Sequence, residues 1–251
     1  MPILQQNLKT VSRVFYAIAM VAFGLLHIGY GDFVTRVVPW WPAGIPGRSL
    51  WADLIGALLV VAGGALLFNV RTVTVATTLA AALLASFVLL GIPLAASDGL
   101  LGGSWTMAGK VLAFCGGALL IAHGRGWWLG IWFFAAFLIL CGVQHFLYIN
   151  FVVSLVPAWI PGQKFWAYAA GVFLIAGGLG LVVPMTTRLA GLLTGLMIFS
   201  WVFLVHIPRA AATFPKTSNE MTAVFEALAM AGIAWLAAVS DLPPGTSRRR
   251  L

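Results

Sequence analysis

The chain has 251 residues, 62% of them hydrophobic and 8% charged, where a soluble domain carries about 25% charged residues; fourteen Lys and Arg with six Asp and Glu cannot give such a core a polar coat, so a soluble globule is excluded. The net charge of +8 does not describe a nucleic-acid partner, because the basic residues stand singly between apolar runs apart from Arg248, Arg249 and Arg250 at the tail. Cys115 and Cys141 both lie inside apolar runs with no CxxC, which removes a disulfide framework and a thiol-redox pair of the usual spacing.

A helix that crosses a bilayer needs about 20 mostly apolar residues. Eight such stretches follow in chain order, approximately 11–30, 50–68, 72–95, 105–122, 127–149, 165–183, 188–207 and 220–239, separated by short polar or Pro/Gly-marked breaks. The first is expected to be retained, since no small-residue cleavage site closes it before His27, Tyr30 and Asp32. An even number of spans puts both termini on one side, and Lys9, Arg13 and the tail arginines predict that this side is the cytoplasm of a bacterial inner-membrane protein.

The chain repeats itself. Gly24-Leu25-Leu26-His27-Ile28-Gly29-Tyr30-Gly31-Asp32-Phe33-Val34 aligns with Gly142-Val143-Gln144-His145-Phe146-Leu147-Tyr148-Ile149-Asn150-Phe151-Val152. The match continues through Val38-Pro39 and Val156-Pro157, Trp41 and Trp159, and Trp51 and Trp166, with a three-residue insertion around Pro42–Gly44. Ile92-Pro93 then answers Ile207-Pro208, and Lys110 falls opposite Glu226. The expected fold is an all-α integral membrane protein of eight transmembrane helices. They form two four-helix repeats of like orientation, residues 1–124 and 125–251, the second ending in the basic tail.

The pattern GxxHxxYxxFVxxxVPxWxxG, followed by an aromatic, Gly-rich helix, resembles the DoxX family of four-helix bacterial membrane proteins. The resemblance covers both halves, so the chain looks like a tandem fusion of two DoxX-like units. The second copy is the closer match; the first departs by its insertion and by Asp53 where the second has Tyr168. Some members of that family are described as the small subunit of a thiosulfate:quinone oxidoreductase. The resemblance therefore implies a quinone-linked membrane subunit with a soluble or membrane-bound redox partner.

Ionisable residues at membrane depth are costly and mark function by default. Gly24, His27 and Tyr30 are spaced three apart, as are Gly142, His145 and Tyr148, so each set lies on one helix face with a glycine permitting close helix approach. One reading makes each His an anchor for the Pro/Trp loop that follows it. The other places His27, Tyr30, Trp41, His145, Tyr148 and Trp159 around a pocket for a quinone or other apolar ligand near the outer face, roofed by a re-entrant loop whose tryptophans stack on the ligand. The loop tryptophans equally suit an aromatic belt at the membrane interface. A haem held by His27 and His145 is disfavoured, because two helix-end imidazoles would have to converge on one iron. No HxxxH or His/Cys/carboxylate set at ligand spacing points to a metal, and no residue set points to a resident cofactor.

Lys110 and Glu226 either pair across the repeats or separately reach headgroups and solvent. Asp53 has a loop amide or Arg48 as its expected partner. The competing functions are a small-molecule transporter whose repeats rock against each other, with helices broken at Pro93 and Pro208, and a structural or assembly subunit without catalysis.

Overall fold

A computed structural model describes residues 2–99, 101–213 and 218–240. Its spanning helices are α1 Pro2–Tyr30, α2 Arg48–Leu67, α3 Thr72–Ser97, α4 Gly103–Ala122, α5 Leu129–Leu147, α7 Gln163–Val182, α8 Thr187–Thr213 and α9 Ser218–Val239, with a short helix, α6 Ile149–Leu155, after α5. All eight are long and apolar enough to cross a membrane. The protein is an all-α integral membrane protein, and its long apolar helices satisfy their own backbone groups, as lipid requires.

Neighbouring helices close a ring in the order α1, α2, α3, α4, α5, α7, α8, α9 and back to α1. The fourth helix of each half packs on the first helix of the other, α4 on α5 and α9 on α1, and α4 also meets α9. These helices form the interior, where Tyr16, Phe23, Phe114, Phe134 and Ile233 are fully buried. The Tyr16 hydroxyl donates to the Phe114 carbonyl at 2.8 Å, so this buried polar group is satisfied. Leu58, Val61, Leu89, Phe173, Leu193 and Phe203 instead point outward from α2, α3, α7 and α8, as lipid-facing side chains do.

Local structure recurs at matched positions. A Cβ on Gly142 would stand 2.8 Å from the Gly171 carbonyl, and Gly24 and Gly56 make the same backbone contact between α1 and α2. A Cβ on Gly116 or Gly232 would likewise stand 2.7 Å from the carbonyl of Gly130 or Ser12, the contact that ties each fourth helix to the other half's first. Only glycine allows backbones this close.

α3 and α8 each carry one π turn, at Phe87–Gly91 and Val202–His206. Pro93 and Pro208 follow immediately. Proline lacks an N–H and its ring collides with the carbonyl four residues back. The wider turn absorbs that conflict, with the Ile92 and Ile207 amides bonded to the Phe87 and Val202 carbonyls. The prolines therefore do not end these helices, which run on to Ser97 and Thr213 rather than stopping near 95 and 207.

The halves diverge after α1 and α5. Gly31 adopts φ +60°, the left-handed region that glycine enters without penalty, and the chain leaves the helix into an irregular segment reaching Gly47. Ile149 stands at the matching position, and there the chain turns directly into α6.

Candidate functional site: a lipid-facing cleft beside a buried ion cluster

Between α2 and α3 lies an apolar cleft of about 440 Å³. α2 lines it from Ile55 to Ala65, α3 lines it from Thr74 to Leu90, and Val37, Val38 and Trp41 of the 31–47 segment close one end. The steps of helix from Thr74 to Leu90, at about 1.5 Å each, make it roughly 24 Å long, an elongated groove with Thr74, Thr78 and Ser86 as its polar side chains. Its cause is visible in the repeat. In the second half Gly177 faces Thr194 and Gly180 faces Ala190, so α7 and α8 pack closely. The matching residues are Ala62 with Leu79 and Ala65 with Val75, and the larger side chains hold α2 and α3 apart.

The closing segment is well anchored. Phe33, Val38 and Ala52 form a small buried cluster, with Trp41, Ile55 and Leu90 packed against it. The Trp41 and Phe33 rings stack at 4.7 Å, and Trp51 lies 5.9 Å from Trp41. The Ser86 hydroxyl donates to the Val37 carbonyl at 3.1 Å. At the base of the segment Arg48 Nε bonds Asp32 at 2.7 Å, and that guanidinium holds the Asp32 carboxyl below the usual carboxylate range.

On the inner side of the same segment is a cluster of charges. Glu226 on α9 accepts Lys110 Nζ of α4 at 3.2 Å on Oε1, and Arg36 Nε pairs with its Oε2. Arg36 also donates from Nη1 to the Asn219 side-chain oxygen at 2.9 Å and from Nη2 to the Asn219 carbonyl at 3.3 Å. The three side chains are only 8%, 12% and 14% exposed for Arg36, Lys110 and Glu226, so solvent screens them little. A forked pair, Arg209 with Glu220 at 2.8 and 3.0 Å, stands on the neighbouring turns of α8 and α9.

The six residues expected around one pocket are dispersed. Trp41 lines the cleft. His27 is fully buried and uses both ring nitrogens on backbone groups, Nδ1 with the Phe23 carbonyl at 2.7 Å and Nε2 accepting from the Val34 amide at 3.3 Å. It thus fixes the start of the 31–47 segment. His145 makes the same bond from Nδ1, to the Cys141 carbonyl at 2.7 Å. In the second half the matching amide, that of Val152, is bonded to the Tyr148 carbonyl within α6. Tyr30, Tyr148 and Trp159 are exposed and do not line the cleft. Arg48 is taken by Asp32 rather than by Asp53, which is itself exposed.

Arg36 is the residue that motif reading passed over. It is one of the basic residues that stand singly between apolar runs and drew no reading of its own, whereas it is 6% exposed and reaches Glu226 and Asn219 on α9. The available signal was asymmetry between the copies. Arg36 answers Ser154, Lys110 answers Glu226 and Asn219 answers Gly103, so every member of the cluster sits where the repeat does not match itself. Gln144, another mismatch, answering Leu26, ties α5 to the start of α4 through the Leu101 and Gly102 carbonyls and Thr106.

A family model described as a domain of unknown function, DUF8561, matches residues 134–240, which run from within α5 to just past the end of α9. No curated protein and no solved structure matches the chain.

Proposed function

We propose that this protein is a DoxX-like subunit of the bacterial inner membrane that takes a quinone-class ligand from the lipid into the α2–α3 cleft. Both termini lie in the cytoplasm and the 31–47 segment at the outer face. The observation that carries the reading is the cleft itself: an elongated apolar groove open to the lipid side, with the Trp41 ring, the Ser86 hydroxyl and the Val37 carbonyl at the end that the 31–47 segment closes. A polyisoprenoid quinone has that distribution, with a long apolar tail and one flat polar head. The repeat motif adds the resemblance to a family with quinone-linked members. The electrons for any redox step come from a partner protein, and this chain's part is to bind and orient the quinone.

Organic extraction of the purified protein, with thermal unfolding in a short-chain ubiquinone analogue, tests this. The expected result is co-purified quinone and a midpoint that rises with analogue concentration. Ala62→Leu, which fills the cleft from α2, abolishes the rise. Absence of both signals, or an unchanged rise in Ala62→Leu, overturns the reading.

A further inference from the structure

We propose that Arg36 is the pin of a strap: it holds residues 31–47 closed over one end of the cleft, so that the buried ion cluster governs access to it. The segment has the parts of a strap. Its ends are marked by Gly31 and Gly47, at φ +60° and +75°, and joined by the Asp32–Arg48 bond. Arg36 fastens its middle to α9 through Glu226 and Asn219. The next two residues, Val37 and Val38, face the cleft. A shift of Arg36 away from α9 therefore moves the cleft wall directly.

The repeat supports the assignment independently of any ligand. The second half has a serine, Ser154, in place of Arg36, a helix in place of the strap, and close packing of α7 on α8 in place of the cleft. Pin, strap and cleft occur together in one half and are replaced together in the other. Arg36 is thus a positioning residue for the cleft, distinct from Lys110, which reaches the same carboxylate from α4 rather than from the strap.

The test reads opening directly, and only its second arm rests on the quinone reading. Leu90 packs under the strap, so the full chain with Leu90→Cys, in detergent micelles, is labelled with a maleimide that partitions into the micelle; the parent with Cys115 and Cys141 is the blank. Arg36→Gln and Asn219→Ala are expected to speed labelling about tenfold, the factor that about 1.4 kcal/mol of opening free energy gives, whereas Lys110→Gln changes it less than about twofold. Asn219→Ala keeps all three charges and carries the test if Arg36→Gln does not fold. Unchanged labelling in both strap variants, or equal acceleration in Lys110→Gln, overturns the proposal. In the second arm, release of the ubiquinone analogue quickens in Asn219→Ala. Faster labelling with no analogue bound to the parent leaves the strap standing and removes the quinone reading; faster labelling with an unchanged release rate overturns the strap's control of the cleft.

Discussion

Exchanging Lys110 and Glu226 in place, Lys110→Glu together with Glu226→Lys, separates a two-charge bridge from a three-charge cluster. If the two residues formed an isolated pair, the exchange would restore opposite charges 3.2 Å apart and cost little. The structure adds Arg36 against the other oxygen of Glu226, so the new ammonium at position 226 meets a guanidinium. At an effective dielectric of about 20, two like charges about 4 Å apart repel by roughly 4 kcal/mol, and the low exposure of all three side chains leaves little water to weaken this. Glu226→Gln, which strands two buried cations, should cost about 3–5 kcal/mol. Lys110→Met should cost less, since Glu226 keeps Arg36. With about 2–4 °C per kcal/mol for a chain of this size, the exchange should lower the thermal midpoint in detergent by about 8–16 °C. A midpoint within about 2 °C of the parent would refute the three-charge arrangement.

Three further outcomes follow from the geometry. A Cβ at Gly24 would lie 2.7 Å from Val60 Cγ2 and one at Gly142 would lie 2.6 Å from Ile175 Cγ1, so Gly24→Ala and Gly142→Ala should each destabilise by about 1–3 kcal/mol; Gly64→Ala, with no neighbour within 4 Å, should be neutral or stabilise by up to about 1 kcal/mol, as read by thermal unfolding of the three variants. His27→Ala strips the Val34 amide of its partner and should lose about 1–3 kcal/mol, more than His145→Ala, whose matching amide is bonded within α6; equal midpoint losses would show that the two imidazoles anchor alike. The Asp32 carboxyl is held below its ordinary value by Arg48, so its contribution is present above about pH 4 and fades as pH falls through the lower folded value. Half-exposed as the pair is, this amounts to less than about 1 kcal/mol, and Asp32→Asn should flatten that acid limb when midpoints are compared from pH 6 to pH 3.

The eight spans could be read from the chain alone because bilayer-length apolar runs are a local property, and their ends needed correction by only a few residues over most of the chain. α1 begins at Pro2 rather than near 11, and α8 runs on past Pro208, treated as a stop, because a π turn one step earlier accommodates the proline. The paired sites of close glycine contact were also open to sequence reading, since Gly24 and Gly142 head equivalent stripes. The cleft and the ion cluster were not. Whether His27 spends both nitrogens depends on whether the next residues curl or stay helical, and the two halves part there from Gly31 against Ile149 onward. Whether α2 and α3 part depends on side-chain size summed across two helices, Ala62 with Leu79 against Gly177 with Thr194. Arg36 and Glu226 are far apart in the chain and belong to different halves. They meet because each fourth helix packs on the other half's first helix. Periodicity and hydropathy report what each segment does with its own neighbours in sequence, whereas the site is made where helices distant in the chain are packed into a ring.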